Sequence, residues 1–413
     1  MKDKLFGFID NSVELAVELE TELTKRPAIS PESGGEGELD KCLFLEGWLK
    51  SHGITRLERY DAPDDRAKGK VRPNLIATIE GSCGEKERLW ILSHIDVVPP
   101  GEEKLWNSDP WTVVRADNPP RIIGRGVEDN QQGLVSSVLA AMAFVSQGII
   151  PARTIKLLFV CDEEVGSFYG IEWLVKNHSS LFRKDDMVLV PDGGDKKGEF
   201  IEIAEKNILW AGFTTKGKQA HGSRPDLGAN AFLAASDLAV RLHFDLSAKF
   251  NGRDSLFDPD YSTFQPTKKE ANVPNVNTIP GEDVFFMDMR ILPRYSTDAV
   301  LEEIEKIKSK IEKKYHVTVE VIIHHTIESK PTSVQADVVK KLTGAIGEVY
   351  GVKPIPVGIG GGTVAASLRN IGIDCAVWTK TDVSMHQPNE YALLENILGD
   401  AKVMALLASS DGA

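Results

Sequence analysis

Between Asn74 and Val190, short apolar runs alternate with helix-period stretches, and no other feature restricts the fold of this chain so tightly. The runs Asn74–Ile79, Leu89–Ile95, Thr154–Val160 and Met187–Val190 have the length of strands and are apolar enough to need cover on both faces. Helical stretches at Leu134–Val145 and Gly170–Asn177 fall between them. Strands and helices taking turns in this way predict an α/β domain: a mostly parallel sheet with helices on both faces. Upstream, the apolar spacing from Leu5 to Leu23 predicts one amphipathic helix, and a second from Leu39 to Lys50 stops before Gly53.

The texture changes near Ala204. Ile208–Thr215 and Asp283–Leu292 alternate with period two, as strands do when one face is covered. Helices at Gly228–His243 and Thr297–Lys314 and a strand at His316–His324 complete a β-α-β-α-β order. After Thr326 come a helix (Val334–Tyr350), a glycine-rich loop (Gly358–Gly362), a further helix, a strand (Ile373–Trp378) and a last helix from Leu393. The simplest organisation is a catalytic α/β domain, residues 1–205 and 327–413, interrupted by an inserted α+β lid domain with an antiparallel sheet, residues 206–326. At 413 residues the chain exceeds what one hydrophobic core usually serves.

Forty-eight basic and 61 acidic residues leave a net charge of −13, which argues against nucleic acid or an anionic membrane as partner. Four cysteines without CxxC spacing indicate neither a disulfide framework nor a zinc knuckle. The amino terminus lacks the apolar run of a signal peptide, and no segment is apolar enough to span a bilayer, so a cytoplasmic enzyme is expected.

Acidic residues and histidines gather where the apolar runs end. His94 and Asp96 close Leu89-Trp-Ile-Leu-Ser-His-Ile-Asp and, two apart, share a face. Asp129 ends Gly124-Arg-Gly-Val-Glu128-Asp129 ahead of a helix, where it could equally be a cap. Asp162-Glu163-Glu164 follow a strand directly; three adjacent carboxylates repel unless a cation neutralises them. Asp192 ends another strand, and His386 lies in a late polar loop. Singly each has a bland reading as a surface turn or solvated acid. Together, two imidazoles and three carboxylates at one edge of a parallel sheet suit two zinc-like ions.

The motifs HxDVVPxG (His94–Gly101), WxxxPW (Trp106–Trp111), GRGxxD (Gly124–Asp129), DEEVGS (Asp162–Ser167) and PDGG (Pro191–Gly194) occur in this order. AHGSxPxxGxNA (Ala220–Ala231), NxIPG (Asn277–Gly281), DxR (Asp288–Arg290) and MHxPNE (Met385–Glu390) follow them. Over essentially its whole length the chain thus resembles the di-zinc peptidase superfamily of aminoacylase, acetylornithine deacetylase, succinyl-diaminopimelate desuccinylase, glutamate carboxypeptidase and carnosinase-like dipeptidases. The resemblance implies two divalent ions, zinc foremost with cobalt or manganese also suited, bridged by Asp129. His94 and Asp192 would complete one shell, and Glu164 and His386 the other. Asp96 would orient His94. Glu163 would deprotonate the bridging water and later protonate the leaving amine. The Asp129–Asn130 peptide would be cis. His221 would donate to the tetrahedral oxyanion, from the partner subunit in dimeric members. Asn277 and Arg290 would bind the substrate's terminal carboxylate, and the loop with Gly361, Gly362 and Thr363 would line that end of the pocket. A homodimer is expected on the same ground.

Two departures bear on substrate. Asn130-Gln131-Gln132-Gly133 stands where a lysine is usual in the family, and Gly362-Thr363-Val364-Ala365 lacks the Ser and Asp common in deacylases. Asp192 is the residue type of the aminopeptidase and dipeptidase branch, where carboxypeptidases and desuccinylases usually carry Glu. The expectation is therefore a dipeptidase or small aminopeptidase, with an N-acyl-amino-acid deacylase as alternative. A non-catalytic binding protein on the same scaffold would be expected to have lost a ligand or the base, and all six positions are filled.

Overall fold

The computed structural model describes residues 1–409, which divide into two compact units. Of these, the first comprises residues 1–203, 332–357 and 363–409, and the second 204–331 and 358–362.

The first unit is built on an eight-stranded sheet. Its order is Leu57–Pro63, Val71–Ile79, Thr154–Val160, Arg88–His94, Met187–Asp195, Cys375–Lys380, Phe200–Glu205 and Ile355–Ile359. The four strands from Thr154–Val160 to Cys375–Lys380 run parallel, whereas Leu57–Pro63, Val71–Ile79 and Phe200–Glu205 join antiparallel. Side chains alternate across this sheet. Ile76, Trp90, Leu92, Leu158, Val188 and Val377 pack on one face against the helices Ile171–Asn177 and Ala365–Asn370. The helix Gln131–Gln147 contacts the sheet as well as the helices Lys2–Asp10, Val13–Thr24 and Leu394–Ala408. That position explains its composition: buried from Gln131 to Phe144, it carries no charged residue, and its polar side chains Gln132 and Ser136 are hydrogen-bonded inside.

The single helix expected from Leu5 to Leu23 is two, Lys2–Asp10 and Val13–Thr24. Asn11 Nδ2 donates to the Gly7 carbonyl and Ser12 Oγ to that of Phe8, a local competition with the helix ladder that hydrophobic spacing does not register.

The second unit is a four-stranded antiparallel sheet, in the order Thr263–Lys269, Glu282–Ile291, Asn207–Lys216 and Thr318–Ile327. Glu282–Ile291 alternates strictly, putting Asp283, Phe285, Met287, Met289 and Ile291 inside. Helices Ala231–Lys249 and Thr297–Tyr315 cover that face with Leu238, Leu242, Leu246, Ile304, Ile307 and Ile311. Both begin at a side-chain cap: Asn230 accepts from Leu233 N and Ser296 from Ala299 N. The edge strand Thr263–Lys269 is not evident from the sequence because Pro266 interrupts it. The register shifts between Pro266 and Lys268, as an edge position permits.

Candidate metal centre

Because Thr154–Val160, Arg88–His94 and Met187–Asp195 are parallel neighbours, their carboxyl ends share one edge of the sheet. His94 ends its strand, Asp162–Glu164 follow theirs, and Asp192 lies near the end of the third. Asp129 arrives on the loop ahead of Gln131–Gln147, and His386 on the loop after Cys375–Lys380.

The six side chains converge. His94 Nε2 lies 3.0 Å from Asp129 Oδ1 and 3.6 Å from Asp192 Oδ1. His386 Nε2 lies 3.1 Å from both Asp129 Oδ2 and Glu164 Oε2. Asp129 thus presents one oxygen to each imidazole. Ligand atoms of His94, Asp129 and Glu164 fall within 4.8 Å of one another, as do those of His94, Glu163 and Asp192. The Asp129–Asn130 peptide is cis, as the resemblance implies.

Four carboxylates and two imidazoles crowded together, all but His386 largely buried, hold protons in unusual places. Burial, then the Asp192 charge, lifts Glu163 well above the carboxylate range; burial, then Asp129, lifts Glu164 to about 6. Burial also raises Asp192. Asp129 moves the other way: burial opposes the shift, but hydrogen bonds from His386 and His94 outweigh it. Bonds to Asp129 and Glu164 raise His386 to about 10. Glu164 Oε1 is buried without any hydrogen-bond partner. A mixed N/O donor set with a surplus of carboxylate and an orphaned oxygen fits divalent cations of the zinc, cobalt or manganese kind.

Several supports were not legible as such. Asp96 orients His94 through its backbone carbonyl, 3.0 Å from Nδ1, while its carboxylate accepts from Glu163 N and Glu164 N at 3.1 and 3.0 Å. The Asp96 carboxylate also reaches the histidine, with Oδ1 3.5 Å from His94 Nδ1, so the residue serves both the imidazole and the acidic turn. Asn130 Nδ2 holds Asp192 Oδ1 at 2.8 Å. Behind the turn, fully buried Arg72 donates to Glu38 Oε2 at 2.7 Å and to Asp162 Oδ1 at 2.9 Å. Asp162 stands at φ 69°. Glu128 and Glu390 each accept several backbone amides. Only neighbours close in sequence could have announced these residues, and their partners lie scores to hundreds of positions away.

Five expected site residues belong to the second unit. His221 and Asn277 come together there: Ala220–His221 pairs with Thr278–Ile279, and Gly222 N donates to the Asn277 carbonyl at 2.7 Å. His221 Nδ1 accepts from Ser223 N at 3.2 Å, which leaves the proton of a neutral ring on Nε2. Arg290 gives Nε and Nη2 to Asp288 at 2.7 and 2.9 Å and Nη1 to the Gly360 carbonyl at 2.8 Å, beside Gly361 and Gly362. Thr363 lies in the first unit, where its Oγ1 accepts from Ala365 N at 3.2 Å.

A parallel sheet with imidazoles and carboxylates massed at its carboxyl edge defines a metallohydrolase. The model of peptidase family M20/M25/M40 matches residues 90–410, and the chain belongs to that family. It is 39% identical over 405 residues to an uncharacterized metallohydrolase of Methanococcus maripaludis, covering 94% of this chain and 97% of that one. It is 27% identical to a succinyl-diaminopimelate desuccinylase of Xanthomonas oryzae, covering 92% and 94%. Among solved structures, the dipeptidase Dug1p of Saccharomyces cerevisiae shares the fold with a TM-score of 0.74 at 18% identity, covering 99% and 98%.

Proposed function

We propose that this enzyme is a dinuclear metal-dependent amidohydrolase of small peptides, a dipeptidase or small aminopeptidase. Asp192 carries that choice. Its short side chain, held by Asn130 Nδ2, leaves more room than Glu would for the free amine of a substrate. His94, Asp129 and Asp192 would hold one ion, and Asp129, Glu164 and His386 the other. Two divalent ions in such a site supply Lewis acidity toward a carbonyl and lower the pKa of water toward about 7.

The remaining steps fall to the protein. Glu163, its pKa well above the ordinary range, can take a proton from water and return it to the departing amine nitrogen. His221, with Nε2–H as its donor, suits a developing oxyanion. Arg290, bonded to the Gly360 carbonyl beside Gly361 and Gly362, has the fork geometry that suits a substrate carboxylate, Thr363 follows that loop in sequence, and Asn277 stands exposed beside His221.

Likeness to the desuccinylase supports a second reading, release of an acyl group from an N-acyl amino acid. Exposed Phe232, Leu233, Val240 and Phe244 stripe the helix Ala231–Lys249 and support a homodimer through the second unit. A cytoplasmic setting is part of this reading, and four cysteines without CxxC spacing accord with it. Among the described residues, no helix is long and apolar enough to cross a membrane.

The test compares turnover of an unblocked dipeptide with that of its N-acetylated form, each against Glu163→Ala. The peptidase reading requires the free amine to be faster. Preference for the acylated compound, with acetate released, makes the enzyme a deacylase.

A further inference from the structure

Two ligands arrive on loops: Asp129 on residues 124–130 and His386 on residues 381–390. The second loop is strained. Val383, His386 and Asn389 stand at φ 62°, 61° and 62°, a left-handed region that non-glycine residues adopt only when their surroundings hold them there. A loop held in this conformation needs partners that fix its backbone.

Glu128 is such a partner. Its buried carboxylate reaches across to three consecutive amides of the strained loop. Oε1 accepts from Thr381 Oγ1, from Asp382 N at 2.7 Å and from Val383 N at 3.1 Å. Oε2 accepts from Ser384 N and from Ser384 Oγ at 2.6 Å. Helix capping does not explain this side chain, because the N-cap of Gln131–Gln147 is Asn130. The favour is returned. Glu390 Oε1 accepts from Glu128 N and Asp129 N at 2.9 and 3.0 Å, and Oε2 from Gly126 N and Arg125 Nη1 at 3.0 and 2.6 Å. Each loop's carboxylate therefore binds the other's amides.

We infer that Glu128 is a positioning residue for the ion that His386 would bind. It fixes residues 381–384 so that His386 Nε2 stays 3.1 Å from Asp129 Oδ2 and Glu164 Oε2. The inference rests on the dinuclear reading above. Glutamine could keep one accepting oxygen but would turn an NH2 toward Ser384 N–H, donor against donor.

The test is zinc titration against a competing chelator, with no substrate present. Wild-type protein should bind two zinc ions. Glu128→Gln should weaken one of them about 10–100-fold, the usual effect of losing a support behind a ligand, and leave the other within about twofold. In His94→Ala protein, which relies on the His386 site, the same substitution should cost as much; in His386→Ala protein it should cost nothing further. Ser384→Ala, which trims the clamp from the loop side and is the safer variant for folding, should give a smaller loss at the same ion. Two undisturbed zinc ions in Glu128→Gln, or equal weakening of both with a lowered Tm, overturns the proposal. Wild-type protein binding fewer than two ions overturns the dinuclear reading and this inference with it, an outcome visible without any variant.

Discussion

Glu163 sits where two roles meet. Its oxygen is close enough to His94 and Asp192 to ligate, yet burial and the Asp192 charge give it the raised pKa of a proton carrier. Glu163→Gln separates them: we expect full zinc uptake by elemental analysis and a kcat lower by about 10²–10⁴. Loss of an ion would make Glu163 a ligand. His386 yields a second expectation. With its pKa raised to about 10, it carries a proton at neutral pH before an ion is bound. Ligation requires the neutral ring, so loading must release protons, and affinity must fall as pH falls. Calorimetry in buffers of different ionisation heat should show net release at pH 7. Arg72 yields a third. Arg72→Met leaves Glu38 and Asp162 buried without their counter-ion, a loss of about 3–5 kcal/mol that denaturant unfolding would register.

At the scale of elements, the parallel strands do most to place the centre, and they were also the most legible. Thr154–Val160 was bounded correctly because an apolar run followed by three acids has few other uses. His94, Glu164 and Asp192 were readable because each lies at or within four residues of the end of such a run. Thr263–Lys269 was not, since Pro266 and four lysine or threonine positions erase the hydrophobic alternation of an edge. Glu128 was readable as an acid but not as a clamp, since its acceptors' partners are backbone amides that have no residue identity to read. The helix Gln131–Gln147 invites a test of packing: Leu139 is fully buried, so Leu139→Ala should cost about 2–5 kcal/mol in denaturant unfolding without changing zinc stoichiometry.

For the molecule as a whole, the exposed stripe on Ala231–Lys249 sets an expectation about assembly. Phe244 is 64% exposed and Val240 55%, so a charge there disturbs no core within the chain. Val240→Glu with Phe244→Glu should convert a dimer to monomers in sedimentation velocity while leaving the unfolding midpoint of the isolated subunit unchanged. The mutual hold between Glu128 and Glu390 has a different consequence, one of timing. Glu128 and Ser384 are 256 positions apart, and Glu128 and Glu390 are 262. At the ribosome's pace of about 5–20 residues per second, the first loop waits on the order of ten to fifty seconds for the second to be made. A nascent chain can therefore complete its first strands and helices long before it has a place to keep an ion. The candidate metal centre is therefore complete only once Ser384 and Glu390 have been made, however early the parallel strands form.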